Sequence, residues 1–320
     1  MNEQREIISW VDEETWLKAK AIDITSTESA SLYGYGRETA FELACRKDGK
    51  TESRFKPNER TEIGKEIENA IALRAARLFG VTIRHKNEYM RIHSARMGSS
   101  FDYEICGIEG NVIEDNRLRQ AFGSMGPGLL EVKNVDRMVF KNEWCVGEQP
   151  EAPAHIEIQV QHQLEVSELA WAVIVAFVGG NHIEIILRLR DQAVGAAIRH
   201  AIGRFWHKLS LGEYPPVSLP EDIDVLRQIY GYAEPGYILD AQENDDINHW
   251  IDKYIRNLEA EKTAVDNKQT AQGNILQLIG NAERVIGRDA VITCGMLAPA
   301  EVKAYTRKGY RNFRVTKKSQ

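Results

Sequence analysis

The segment LAWAVIVAFVGG, residues 169–180, restricts the folds open to this chain more than any other. Up to its closing glycines it is wholly apolar and rich in Val and Ile, yet it is too short to cross a bilayer as a helix. It reads as a buried strand. Beyond the glycines, IEIILRLR (183–190) alternates apolar and polar residues and reads as its hairpin partner across GGNH. A buried strand needs cover, and helices supply it. In RTEIGKEIENAIALRAARLFG (60–80), Ile63, Ile67, Ala70, Ile71, Ala75 and Leu78 recur at helical spacing, and Gly80 is a natural stop. QAVGAAIRHAIGRFWHKLSLG (192–212) is amphipathic and ends before YPP. Helices and strands are mixed rather than regularly alternating, which predicts an α/β (α+β) sheet with helices on its faces.

Other segments fill in the outline. VTIRH (81–85), FDYEICGIEG (101–110) and GLLEVK (128–133) read as strands. AHIEIQVQHQLEVS (154–167) alternates, but its length and leucines also allow a helix. SWVDEETWLKAKA (9–21) reads as a short helix. The stretch 23–49 opens with Ser and Thr suited to capping a helix, is broken at Gly34–Gly36, and resumes as a helix through ETAFELACRK. YPPVSLPED (214–222) marks a boundary between a core, 1–218, and a C-terminal extension, 219–320. The extension is mainly helical over 245–287, with AVITC (290–294) and NFRVT (312–316) as a small hairpin.

Composition narrows the classes. The four cysteines are scattered without a CxxC pair, so neither a zinc site nor a disulfide framework is indicated. With no signal-peptide order at the N-terminus and no membrane-spanning run, a reducing cytoplasm fits. The net charge of −6 argues weakly against a simple nucleic-acid coating protein. It leaves nucleic acid open, because local clefts and bound cations set the field where a ligand sits. The tail 303–320 is basic, with Tyr305, Tyr310 and Phe313 among its charges. It reads as a DNA contact, a frayed terminus or a partner surface.

The chemistry centres on GLLEVKN (128–134). Alternate side chains leave a strand on one side, so Glu131 and Lys133 share a face and Leu130 and Val132 the other. Asp102 stands at the start of the preceding strand. Mg²⁺ takes oxygen ligands and commonly needs one or two carboxylates, completed by water and phosphate. Asp102 and Glu131 suit such an ion, with the Val132 carbonyl as a further oxygen. Lys133 would orient the attacking water and offset negative charge. By itself the D…ExK pattern arises by chance in many chains, and an edge strand with an ordinary ion pair is the plainer reading. Three neighbours add weight. Glu68 lies in one helical row with Ile71, Ala75 and Leu78; the plainer reading is a helix-edge glutamate reaching solvent. Gln159 and Gln163 share a helical face in QVQHQ; Gln163 is read as part of a solvated face. DITSTES (23–29), preceded by Lys18 and Lys20, offers hydroxyls and amides at a helix start, where anions are favoured, or else a simple cap.

These segments, in order, resemble the phage-type alkaline exonuclease family of YqaJ-like, lambda-exonuclease-like viral recombinases. WLKAKAIDITSTES, IGKEIENAI, SSFDYEI, LLEVKN, IQVQHQL and FWHKLSLGEYPP each match a family motif, over about residues 10–216. The resemblance implies a PD-(D/E)xK restriction-endonuclease-like mixed sheet flanked by helices. It implies that Glu68, Asp102 and Glu131, with the Val132 carbonyl, bind two Mg²⁺ ions, for which Mn²⁺ can substitute. Lys133 matches the catalytic lysine and Gln159 the glutamine near the scissile phosphate. Lys20, Thr27 and Ser100 stand where the family holds a 5′-phosphate. Phe101 and Tyr103 replace the motif's proline and glycine. Lysine at position 20 replaces an arginine and loses bidentate phosphate geometry.

The expected function is Mg²⁺-dependent 5′→3′ digestion of one strand of linear double-stranded DNA with a 5′-phosphorylated end. The setting implied is recombination by single-strand annealing in a bacterial host cytoplasm. A homotrimer and a single-strand annealing protein as partner are also implied. The alternatives are an endonuclease or single-strand nuclease of the same fold, or a non-catalytic DNA-binding module, which the presence of Asp102, Glu131 and Lys133 disfavours.

Overall fold

The computed structural model describes residues 5–9, 13–54, 56–110, 115–145 and 149–297. The chain opens with β1 (Arg5–Ser9), α1 (Glu13–Ala21) and the short β2 (Ile24–Thr25), then a 3-10 helix over Ser29–Tyr33 and α2 (Ala40–Lys47). The long α3 (Glu59–Phe79) leads into β3 (Val81–His85), β4 (Glu88–Ile92), β5 (Met97–Ser100) and β6 (Tyr103–Ile108). Next come α4 (Arg117–Met125), β7 (Gly128–Val135), the one-turn α5 (Arg137–Val139) and α6 (Ala154–Ser167). The hairpin of β8 (Trp171–Val178) and β9 (His182–Leu189) precedes α7 (Gln192–Ser210) and α8 (Ile223–Ile229). The rest is α9 (Asp245–Ile279), β10 (Arg284–Ile286) and β11 (Val291–Thr293). Two compact units result, Met1–Ile229 and Tyr230–Gln320.

The apolar segment 169–180 forms β8, and it has a partner on each side. It runs parallel to β7, from Leu129 opposite Ala172 to Val135 opposite Val178, and antiparallel to β9. The five-stranded order is β3-β6-β7-β8-β9. Helices cover both faces. On one, Val160 and Leu164 of α6 and Ile198 and Ile202 of α7 pack with Leu129 and Ile174. On the other, Ile71 and Ala75 of α3 and Leu118 of α4 pack with Leu130, Val132 and Val173. Each fully buried Val, Leu or Ile contributes about 1.5–3 kcal/mol, so this two-sided burial makes β8 and its neighbours the anchor of the fold. The mixed sheet flanked by helices is the fold class the sequence predicts.

Local chemistry sets the helix ends. The Asn58 side chain accepts from the Thr61 N–H while the Thr61 hydroxyl accepts from the Asn58 N–H, a capping box that starts α3. Gly80, at φ +60°, ends it in the left-handed region.

The structure departs from the sequence reading in several places. The ambiguous 154–167 is a helix. DITSTES is not a helix start: it is β2, a turn, and then a 3-10 helix. The reason is that the Thr25 N–H donates to Glu28 Oε2 at 2.8 Å, and Glu28 is held by Arg46 and Lys47 at 2.8 and 2.9 Å. The second sheet, ordered β1-β4-β5-β2, has no counterpart in the sequence reading. Its strand MGSS has little intrinsic β preference. It pairs because Gly98 lets the Tyr89 ring approach: a Cβ there would lie 2.2 Å from the Tyr89 hydroxyl. In the second unit the long helix stops at Ile279, earlier than expected. Arg284–Ile286, expected to be helical, is instead a strand paired with Val291–Thr293. The expected partner, 312–316, lies outside the described residues.

Candidate active site

The parallel pairing with β8 places β7 deep in the sheet, and its charged residues stand on the face that α6 covers. Glu131 is only 4% exposed. Lys133 Nζ lies 2.5 Å from Glu131 Oε1. Two α6 amides complete its shell: Gln159 Nε2 donates to Oε1 at 2.5 Å and Gln163 Nε2 to Oε2 at 2.7 Å. Asp102, just before β6, accepts from the Val132 N–H at 2.8 Å, which ties the two strands together at the site. The Val132 side chain is buried against α3.

The reading of Gln163 as solvated is therefore wrong; it is 2% exposed. Periodicity within α6 gives no hint of this, because the helix is buried from Gln159 through Val166. Its polar side faces other protein, not water. Gln163 is the site residue that sequence reasoning passed over, and the repeated Gln-x-x-x-Gln spacing was its only signal.

Glu68 of α3 lines the same cavity as Asp102, Glu131, Lys133, Gln159 and Gln163, a space of about 250 Å³. Lys20, Thr27 and Ser100 line it too. Ser100 Oγ accepts from Trp16 Nε1 at 2.8 Å, which leaves its own hydrogen free to donate. Lys20 Nζ stands 3.9 Å from the centre of the Trp16 ring. Thr27 Oγ1 is 3.2 Å from Thr25 Oγ1. Lys18 is on the surface, 2.6 Å from Glu14, and takes no part.

Electrostatics at the site are dominated by burial and by like charge. Burial, then the nearby Glu131, pushes the Asp102 carboxyl well above its usual range. Burial and Glu131 raise Glu68 as well. Burial by itself would lower the Lys133 ammonium; Glu131 and Asp102 more than reverse this, so it holds its proton more firmly than usual. Burial, aided by Lys47 and opposed by Glu28, pulls Lys20 below its usual range. Among the described residues, no three His, Cys, Asp or Glu form a ready-made metal cage. The donor set nonetheless suits a hard cation completed by water and phosphate. Three carboxylates line one cavity with Lys133, two of them are destabilised as anions, and Gln163 Oε1 is buried without a hydrogen-bond partner.

Two carboxylates and a lysine, Glu131 and Lys133 on β7 and Asp102 just before β6, face two helix amides, a set of groups chemically suited to a phosphate ester. Residues 15–170 match the family model of the YqaJ-like viral recombinase domain. No curated protein matches the chain. Solved structures similar to it include an alkaline exonuclease, LHK-Exo, from Laribacter hongkongensis. Its complex with dAMP is 18% identical, covering 62% of this chain and 93% of that one at a TM-score of 0.46. A second structure of the same exonuclease matches over the same shares at 0.45. A phage-related exonuclease from Haemophilus somnus is 12% identical over 64% and 91%, at 0.36. No helix among the described residues is long and apolar enough to cross a membrane.

Proposed function

We propose that the chain is a Mg²⁺-dependent nuclease that digests one strand of linear duplex DNA from its 5′ end, as part of phage-type recombination. The observation that carries this reading is the convergence of Asp102, Glu131 and Lys133 with Gln159 and Gln163 in one cavity. Lys20, Thr27 and Ser100 line that cavity and give it a phosphate-binding side. The catalytic residues all lie within 1–218, the proposed nuclease core.

In this reading Glu68, Asp102, Glu131 and the Val132 carbonyl would hold two Mg²⁺ ions. When bound, these ions would supply positive charge to the attacking water and the leaving 3′-oxygen of an in-line displacement. The protein does the rest. The Lys133 ammonium, kept protonated by Glu131 and Asp102, orients the attacking water and offsets charge on the phosphate. Gln159 and Gln163 fix the Glu131 carboxylate so that its oxygens do not rotate, and Gln159 lies beside the scissile phosphate. The Ser100 hydroxyl, oriented by Trp16, donates to the 5′-phosphate together with Lys20 and Thr27. A homotrimer around the DNA and a single-strand annealing partner belong to the same proposal.

The test is an assay on linear duplex DNA labelled at either end, with and without Mg²⁺. Release of the 5′ label first, only with Mg²⁺, and slower digestion of dephosphorylated ends are expected. Equal rates on phosphorylated and dephosphorylated ends would reject the Lys20, Thr27 and Ser100 pocket. Efficient cutting of closed circles would replace the exonuclease reading with an endonuclease.

A further inference from the structure

Glu28 and Lys47 form an ion pair behind the wall of the cavity and take no part in the chemistry proposed above. The Lys47 side chain is 2% exposed, and its Nζ lies 2.9 Å from Glu28 Oε2. Lys47 comes from α2, yet the partners of its ammonium belong to residues 20–28. It donates to the Asp23 carbonyl at 2.5 Å and to the Lys20 carbonyl at 3.3 Å. Glu28 in turn accepts from the Thr25 N–H on Oε2 at 2.8 Å and from Arg46 on Oε1 at 2.8 Å.

These bonds fix the segment that forms one side of the cavity. Lys20, Thr25, Ser26 and Thr27 all line it, together with Ser100. Between the end of α1 and the 3-10 helix that starts at Ser29, only Ile24–Thr25 is regular structure. Side chains from elsewhere must therefore hold this backbone. Lys47 holds the main chain of Lys20, and Glu28 holds that of Thr25. One ion pair thus sets the distance from the Lys20 ammonium to the Thr25 and Thr27 hydroxyls. Ser26 links the same segment to β5, which carries Ser100: Ser99 Oγ lies 2.9 Å from Ser26 Oγ.

Stability does not account for the pair. Taking a lysine and a glutamate out of water costs about as much as their attraction returns, and apolar residues of the same volume often serve as well. What directed bonds from a buried pair supply is geometry. The surroundings also favour an anion. Burial, with Lys47 and against Glu28, lowers the pKa of Lys20, and an anion placed beside Lys20 would relieve that cost.

We propose that Lys47 and Glu28 are positioning residues that set the preference for a 5′-phosphorylated DNA end. They hold the Lys20 side and the Thr25–Thr27 side of the pocket at the separation a terminal phosphate needs, without touching the DNA themselves. The inference rests on the reading of Lys20, Thr27 and Ser100 as a 5′-phosphate pocket.

The test measures binding rather than cutting, so it does not depend on nuclease activity. The full chain is titrated, with Ca²⁺ in place of Mg²⁺, against one linear duplex carrying either a 5′-phosphate or a 5′-hydroxyl. Fluorescence anisotropy gives the ratio of the two affinities. The unaltered chain is expected to favour the phosphorylated end. Lys47→Met is expected to weaken binding of that end about tenfold, the scale of one hydrogen bond to a charged group, so that the ratio falls. Glu28→Gln keeps the shape but removes the charge that holds Lys47, and a smaller fall in the same ratio is expected. A purely structural pair would lower the thermal midpoint and weaken both ends alike, leaving the ratio where it was. Cooperative thermal unfolding shows that each variant is folded, and Glu28→Gln decides the matter if Lys47→Met does not fold. A ratio that stays at its original value in the folded variants would overturn this inference alone. Indifference of the unaltered chain to the 5′ group would overturn the pocket reading and this inference with it.

Discussion

Single residues at the site carry unequal duties, and substitution should separate them. Asp102→Ala and Lys133→Ala each remove a group from the charge balance of the cavity. Each is expected to lower the rate of duplex digestion by at least about 10²-fold, the scale of one lost electrostatic group at a reaction centre, with the fold intact by circular dichroism. Near-normal rates in either variant would reject the assignment. Gln163→Leu tests a different duty, because this amide reaches Glu131 rather than the substrate. A loss of about 10–100-fold in metal affinity or rate is expected, as for groups that orient metal ligands, with stepwise 5′→3′ digestion preserved. Titration of Mg²⁺ against rate would show it. Asp102, Glu131 and Lys133 are legible in the sequence because an acid-x-lysine strand and an acid before a neighbouring strand form a pattern in one dimension. The duty of Gln163 is not, since it depends on which side of α6 meets Glu131.

At the scale of elements, α6 is the piece on which both sheets depend. Its glutamines reach β7, and its His162 is fully buried and reaches β5, donating from Nε2 to the Gly98 carbonyl at 3.0 Å. His162 Nδ1 is buried with no hydrogen-bond partner, so protonation would place a charge in an apolar site. Burial accordingly pushes the imidazole down to about 4. Because the folded value lies below the unfolded value of about 6.5, the unfolded chain takes up the proton first as pH falls. The contribution of His162 is thus complete above about pH 6.5 and lost progressively toward pH 4, by up to about 1.4 kcal/mol per pH unit. Denaturant midpoints measured from pH 7 to 4 should fall, and His162→Gln should flatten the part due to this group. An unchanged slope in that variant would exclude His162 as the source. The sequence left α6 undecided because a helix buried on most of its circumference has no clean apolar stripe. Strand β5 has no local signal for a related reason: MGSS has little β preference of its own, and it pairs with β4 because Gly98 lets the Tyr89 ring approach.

Across the whole molecule, the chain divides into two compact units, and the buried core clusters among the described residues all lie in the first. The first contains every residue assigned to the site and both large sheets; the second contains α9 and its small hairpin. A chain truncated after Ile229 is therefore expected to keep its thermal midpoint for the first unit and its digestion of linear duplex DNA. Loss of folding in the truncated chain, seen as a missing cooperative transition, would show that the units are not independent. The amino-acid sequence by itself determined the central strand β8, its hairpin with β9, the helices α3 and α7, and the site's acid and lysine pattern. Each is a local signal of hydrophobic run, period or spacing. Only the tertiary structure decided that DITSTES turns rather than starts a helix, that MGSS is a strand, and that Gln163 faces Glu131 instead of water. In each case the deciding partner lies on another element: Arg46 and Lys47 for Glu28, Tyr89 of β4 for Gly98, and Glu131 of β7 for Gln163. A polar side chain is buried or exposed according to what folds over it, and no local pattern carries that information.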